Sequence, residues 1–148
     1  GASKRLEKIG ENESTVIFKD FAHSPSKVEA TTQAVKEQYP DRTLLACLEL
    51  HTYSSLNQNF LKEYKGPLDP ADEALVFYSP HAVEIKRLEE IGKEEIERAF
   101  ERKDLLIYTE PASFKSFLFS QDLKDKVVLL MSSGNYGGLD FDEVKSLL

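Results

Sequence analysis

Leu44-Leu45-Ala46-Cys47-Leu48-Glu49-Leu50 is an apolar run interrupted once, by a carboxylate, and followed directly by His51-Thr52-Tyr53-Ser54-Ser55. A run this short and this apolar lacks the alternation of a half-solvated strand. It reads as a strand covered on both faces. Such strands belong to parallel sheets, whose crossover connections place helices on both sides. Ala74–Tyr78 and Val127–Met131 are further runs of this kind, and Leu105–Thr109 is a shorter one. Between Pro25 and Tyr39 the residues Val28, Thr32, Val35 and Tyr39 recur at helical spacing. That helix opens either with Ser24 as cap and Pro25 at the first position, or with Ser26 and Glu29 in a capping box. Pro40-Asp41 ends it. Lys93–Phe100 and Ala112–Ser120 read as helices, the second with Phe114 and Phe117 turned to the core and Phe119 toward a neighbouring surface. A last helix starts near Phe141, with Asp140 and Glu143 as cap and capping partner. Ser54–Tyr64 reads as a mobile or helical connection and Gly66–Pro70 as a loop.

At the N-terminal end, Lys4–Ile9 and Thr15–Lys19 read as strands joined by the polar turn Gly10–Ser14. The first of them is therefore expected to run antiparallel at one edge. The whole order, β-β-α-β-α-β-α-β-α-β-α, predicts an α/β chain. It is a three-layer α/β/α Rossmann-like domain over residues 1–148, with a mostly parallel six-stranded sheet and right-handed crossovers.

Composition bounds the function. The 148 residues suit one domain able to bury its own core. A single cysteine, Cys47, excludes a disulfide framework, and its place inside an apolar strand makes it a buried, inert thiol. The longest apolar runs are too short to cross a bilayer. A net charge of −7 argues against nucleic acid and anionic membrane as partners, because no basic patch overrides it. His23, His51 and His81 are widely spaced and lack paired cysteines, which disfavours a metal site. There is no G-x-S-x-G elbow, no G-K-[ST] phosphate loop and no G-x-G-x-x-G fingerprint.

In an open α/β sheet, ligands bind beyond the carboxyl ends of the strands. Three polar segments fall there. Asp20-Phe21-Ala22-His23-Ser24-Pro25 leaves a strand and opens a helix, whose N-terminus suits an anion. Asp20 is placed to accept from ribose hydroxyls and His23 to move a proton; the competing reading is a turn with a cap. Glu49–Ser55 is either a polar cluster at a strand end or a hydroxyl-rich turn with Glu49 on an exposed face. Met131-Ser132-Ser133-Gly134-Asn135-Tyr136-Gly137-Gly138 carries glycines that permit positive φ and close backbone approach to a ligand, or simply make a tight turn.

These segments together resemble the C-terminal domain of the Mur ligases, the ATP-dependent amide-bond ligases of peptidoglycan assembly. Asp20–Pro25 is similar to the family's D-[FY]-[AG]-H-x-P motif. Lys4-Arg5-Leu6-Glu7 is similar to the R-R-[LMF]-E stretch that opens the domain. Met131–Leu139 resembles M-S-N-G-G-F-G-G-I. The resemblance implies a cytoplasmic enzyme that uses ATP and Mg2+, both bound mainly by a central ATPase domain, to join an amine to UDP-N-acetylmuramate. D-F-A-H and the M-S-x-G loop favour a murein tripeptide as the amine in peptidoglycan recycling; L-alanine is the alternative. By position, Arg5 and Asp20 would bind ATP. His23 would act near the γ-phosphate or the incoming substrate. His51, Thr52, Ser55, Ser132, Ser133, Gly134 and Asn135 would bind substrate. Thr52 and Ser55 stand where the relatives carry arginines. The chain begins almost at Lys4-Arg5, which reads as a domain cut from a larger ligase and inactive alone. A stand-alone nucleotide- or peptide-binding module is the competing class. A phospho-receiver-like domain is weaker, since only Asp20 is well placed for it.

Overall fold

The computed structural model describes residues 6–50, 65–79 and 93–148. The sequence-predicted connection over 54–64 lies outside them. The described elements are β1 (Glu7–Glu11), β2 (Val16–Asp20), α1 (Pro25–Gln38), β3 (Thr43–Glu49), β4 (Glu73–Phe77), α2 (Lys93–Phe100), β5 (Leu106–Tyr108), α3 (Pro111–Phe119), β6 (Lys126–Met131) and α4 (Phe141–Lys145). They form one six-stranded sheet in the order β1-β2-β6-β3-β4-β5. β1 is antiparallel to β2, and every other pairing is parallel. This is the expected architecture.

The strand order follows burial. β3 and β6 are the most continuously apolar strands and lie inside the sheet, covered on both faces. β1 is polar and half-solvated at the edge, where Lys8–Glu11 and Lys19–Glu7 ion pairs blunt it against pairing with another chain. One face of the sheet carries Val16, Phe18, Leu44, Leu48, Val76 and Leu129 under α1 and α2. The other carries Ile17, Leu45, Cys47, Phe77, Val128 and Leu130 under α3 and α4.

Local chemistry adjusts the expected boundaries. The first strand continues through Gly10 to Glu11, with a bulge between Lys8 and Gly10, and the turn starts later. Asn12 makes that turn: its Oδ1 accepts from the amides of Ser14 at 3.0 Å and Thr15 at 2.9 Å. A Cβ at Gly10 would lie 2.8 Å from the Leu148 side chain, which would have to shift to admit it. Ser24, not Ser26, is the N-cap of α1, with Pro25 in the first turn. Asp140 caps α4 by accepting from Asp142 N at 2.8 Å, whereas Glu143 turns away to Lys115 at 2.6 Å. Phe114 is fully buried; Phe117 and Phe119 are half-buried against the same cluster.

Asp72 ties α1 to the start of β3. Its Oδ2 accepts from Leu44 N and Lys36 Nζ, each at 2.8 Å. Burial works against its charge, but these donors outweigh it and hold the carboxyl below the usual carboxylate range. A depressed folded-state value means that the stabilisation is present above the unfolded value of about 3.9 and is lost as pH falls through the folded one. Thermal midpoints of wild type and Asp72→Asn, measured from pH 7 to pH 2, should therefore converge below about pH 4. A constant gap across that range would show that the carboxylate's charge contributes nothing.

Candidate functional site

The connections leaving β2 and β6 pass to opposite faces of the sheet, α1 to one and α4 to the other. A crevice opens where neighbouring strands diverge in this way. Asp20 and Met131 are paired at the ends of these strands, and the ladder extends one bond further, from Ser132 N to Asp20 O at 2.9 Å. The D-F-A-H-S-P and M-S-S-G-N-Y-G-G segments thus lie side by side. Between them is a cleft of about 60 Å³ lined by Glu7, Lys19, Asp20, Phe21, Leu130, Ser132, Gly134 and Phe141.

Each wall has a local cause. Asp20 is buried, and its Oδ1 accepts from Ala22 N at 2.7 Å, bending the chain out of β2. The bend leaves the Phe21 ring 61% exposed over the cleft. Lys19 Nζ lies 3.2 Å from Glu7 Oε2 and 4.8 Å from the centroid of the Phe141 ring. Apolar rings, carboxylates and a cation thus line one small cleft. His23 is half-buried, with Nδ1 2.9 Å from Phe21 O. A carbonyl only accepts, so Nδ1 donates this bond.

The glycine-rich loop is held from inside. Glu49 is 3% exposed and sits on the Leu45–Cys47 face of β3. Its Oε1 accepts from Ser132 Oγ at 2.6 Å and Tyr136 N at 2.8 Å. Ser132 Oγ in turn accepts from Gly134 N at 2.7 Å. Of the two readings open for Glu49, an exposed strand face is thus excluded. Tyr136 drops into the core, its ring 4.8 Å from Phe114 and its hydroxyl bonded to Cys47 O at 2.9 Å and Met131 O at 2.7 Å. Burial pushes the Tyr136 phenol well above its ordinary value and the Cys47 thiol up, so both stay protonated. Gly137, at φ +74°, passes so close to α3 that a Cβ would lie 2.6 Å from Pro111 Cγ.

Among the sequence-predicted site residues, Asp20, Ser132 and Gly134 meet in the cleft. Ser133 follows them in the loop, and its buried Oγ has no hydrogen-bond partner among the described residues. Asn135 is exposed, with Oδ1 accepting from Gly138 N at 3.1 Å. Arg5, His51, Thr52 and Ser55 lie outside the described residues. Glu7, Lys19, Phe21 and Phe141 were not singled out from sequence as cleft residues, and neither the bonds of Glu49 to the loop nor the burial of Tyr136 was foreseen. The alternation along β3 carries a signal for Glu49, since it places that carboxylate on the same face as Leu45 and Cys47. Among the described residues no cluster of three His, Cys, Asp or Glu side chains is placed to hold a metal ion. No described helix is long and apolar enough to cross a membrane.

The geometry agrees with comparisons to known proteins. The UDP-N-acetylmuramate–L-alanine ligase of Lactococcus lactis subsp. cremoris (strain MG1363) is 42% identical over 74 residues, 49% of this chain and 16% of that protein. The chain spans 16–17% of the length of such curated relatives. The crystal structure of a murein peptide ligase from Psychrobacter arcticus 273-4 superposes with a TM-score of 0.74 at 22% identity, over 97% of this chain and 29% of that one. A MurF ligase from Thermotoga maritima, solved in complex with ADP, superposes with a TM-score of 0.54 at 16% identity, over 93% of this chain and 29% of that one. Residues 4–134, which include Asp20–Pro25 and the start of the glycine-rich loop, match the family of the Mur ligase glutamate ligase domain, so the chain belongs to that family.

Proposed function

We propose that this chain is the C-terminal domain of an ATP-dependent amide-bond ligase. In this reading a murein tripeptide is joined to UDP-N-acetylmuramate in peptidoglycan recycling, in the cytoplasm, and residues 1–148 are a single domain. The observation that carries the proposal is the shared cleft: the two motif loops, distant in sequence, form opposite walls of one crevice.

ATP with Mg2+ would supply activation of the muramate carboxylate as an acyl phosphate, which the incoming amine converts to an amide with release of phosphate. The chain's own part is binding and positioning. Arg5 and Asp20 would bind adenosine, Asp20 through ribose hydroxyls, with Phe21 and Phe141 as apolar walls. His23 would meet the γ-phosphate or the incoming amine. Ser132, Ser133, Gly134 and Asn135, with His51, Thr52 and Ser55, would line the substrate pocket. Magnesium is assigned to a central ATPase domain of the full-length protein. The C-terminal domain would close over the nucleotide and deliver the amine.

A second reading, with L-alanine as the amine, is favoured by the 42% identity to an L-alanine ligase. The deciding experiment measures phosphate release by the full-length protein with ATP and UDP-N-acetylmuramate, offering the tripeptide and L-alanine in parallel, and by the 148-residue chain alone. Tripeptide-dependent turnover by the full-length protein and none by the chain is expected. Turnover with L-alanine only would establish the second reading. Turnover with neither amine, in folded protein, would overturn both.

A further inference from the structure

We infer that Glu49 is a positioning residue whose buried carboxylate sets the shape of the Ser132–Gly138 loop and, through it, the pocket for the incoming amine. The clamp stands on geometry alone; its consequence for the amine rests on the ligase reading above.

A carboxylate at 3% exposure in a strand covered on both faces is costly unless it is well hydrogen-bonded. An apolar side chain would pack there without that cost, so the carboxylate's bonds are what its presence supplies. Both bonds from the loop converge on one atom. Oε1 takes Ser132 Oγ at 2.6 Å and Tyr136 N at 2.8 Å, and Ser132 Oγ takes Gly134 N at 2.7 Å. A single oxygen thereby orients three residues of the loop.

The Tyr136 ring cannot do this alone. It fixes the chain at its own position, but Ser132, Ser133, Gly134 and Asn135 contribute no apolar side chain that could hold the stretch before it. Without the clamp, Gly134 and its neighbours are free to sample the many conformations open to glycine and serine. Loop shape matters to the cleft directly, because Ser132 and Gly134 are among its lining residues. Glu49 also stands at the end of β3, immediately before the segment that carries the other proposed substrate residues. It therefore holds the exit of one strand to the loop leaving another, across 83 positions of sequence.

The geometry separates clamp from charge. Both loop bonds use Oε1 as acceptor, and glutamine keeps that oxygen while leucine does not. The test begins with native-state amide exchange on the 148-residue chain. Glu49→Leu should speed exchange at Gly134 and Tyr136 by about tenfold or more, while Leu45 and Val128 in the sheet stay within about twofold. Glu49→Gln should stay within about threefold of wild type, and Ser132→Ala, which leaves the Tyr136 bond intact, should fall between. In the full-length protein, Glu49→Leu should raise KM for the amine about tenfold or more and KM for ATP by clearly less, since Ser132 and Gly134 form only one wall of the cleft, and Glu49→Gln should restore both.

Unchanged loop exchange in Glu49→Leu would overturn the clamp, as would a loss in Glu49→Gln equal to that in Glu49→Leu. Equal rises in both KM values would overturn the positioning role, since general loosening of the domain does that. If the wild-type full-length protein turns over neither amine, the ligase reading falls, and the exchange series still decides the clamp.

Discussion

Replacing Tyr136 with alanine is expected to remove about 3–5 kcal/mol of stability, the range for truncating a large buried aromatic side chain. The residue is 1% exposed, its ring is stacked 4.8 Å from Phe114 and lies 5.8 Å from Phe77, and its hydroxyl is shared between Cys47 O and Met131 O. Alanine would leave a cavity under the loop where α3 meets β3 and β6. The backbone at Tyr136 has φ +56°, a conformation that costs a non-glycine residue about 1–3 kcal/mol. The aromatic burial offsets that cost; alanine would keep most of the strain and lose the burial. Tyr136→Phe keeps the ring and gives up only the hydroxyl, for about 1 kcal/mol. Urea unfolding of the three proteins, compared at equal slope, measures the difference. A Tyr136→Ala variant within 1 kcal/mol of wild type would mean that the loop is not anchored through this side chain.

Under the ligase reading, Asp20→Ala in the full-length protein is expected to raise KM for ATP by about 10–100-fold, from loss of charged hydrogen bonds of about 1.5–3 kcal/mol. Asp20 has a second task, since its Oδ1 holds Ala22 N at 2.7 Å and so aims Phe21 over the cleft. Asparagine keeps that acceptor and removes the charge. Asp20→Asn should therefore preserve the turn and show a smaller rise in KM than alanine. Initial rates over a range of ATP concentrations, with the thermal midpoint of each variant beside them, separate the two tasks. A KM for ATP unchanged in a folded Asp20→Ala protein would remove Asp20 from the nucleotide site.

Much of this arrangement was legible from residues. The continuous apolar runs at Leu44–Leu50 and Val127–Met131 announced strands covered on both faces, and both are inner strands. The helical period of Val28, Thr32 and Val35 gave α1, and three of its four buried residues are those. Pro25 after a capping-type residue placed the helix start, although Ser24 and Ser26 could not be separated without the bend made by Asp20. The first turn was set too early because Asn12, rather than Gly10, supplies the bonds that close it.

The candidate site was read in outline, through motif loops expected at strand ends. Its inner workings were not. Glu49 admitted both an exposed and a site-facing reading, because a polar residue in an apolar run states no partner; its partners are 83 and 87 positions away. Phe21 and Phe141 gave no signal as cleft walls, since an isolated aromatic residue beside a strand or cap fits a core equally well.

The sequence by itself determined the elements, their alternation, the antiparallel edge and the family, because period, capping and short motifs are local properties that a chain carries before it folds. Tertiary structure alone decided that β6, the last strand in the sequence, enters the sheet between β2 and β3. That insertion buries the most apolar strand at the centre and sets the Ser132 loop against Asp20 on one side and Glu49 on the other. Strand order follows from how both faces of the sheet are covered at once, and no local pattern specifies that balance.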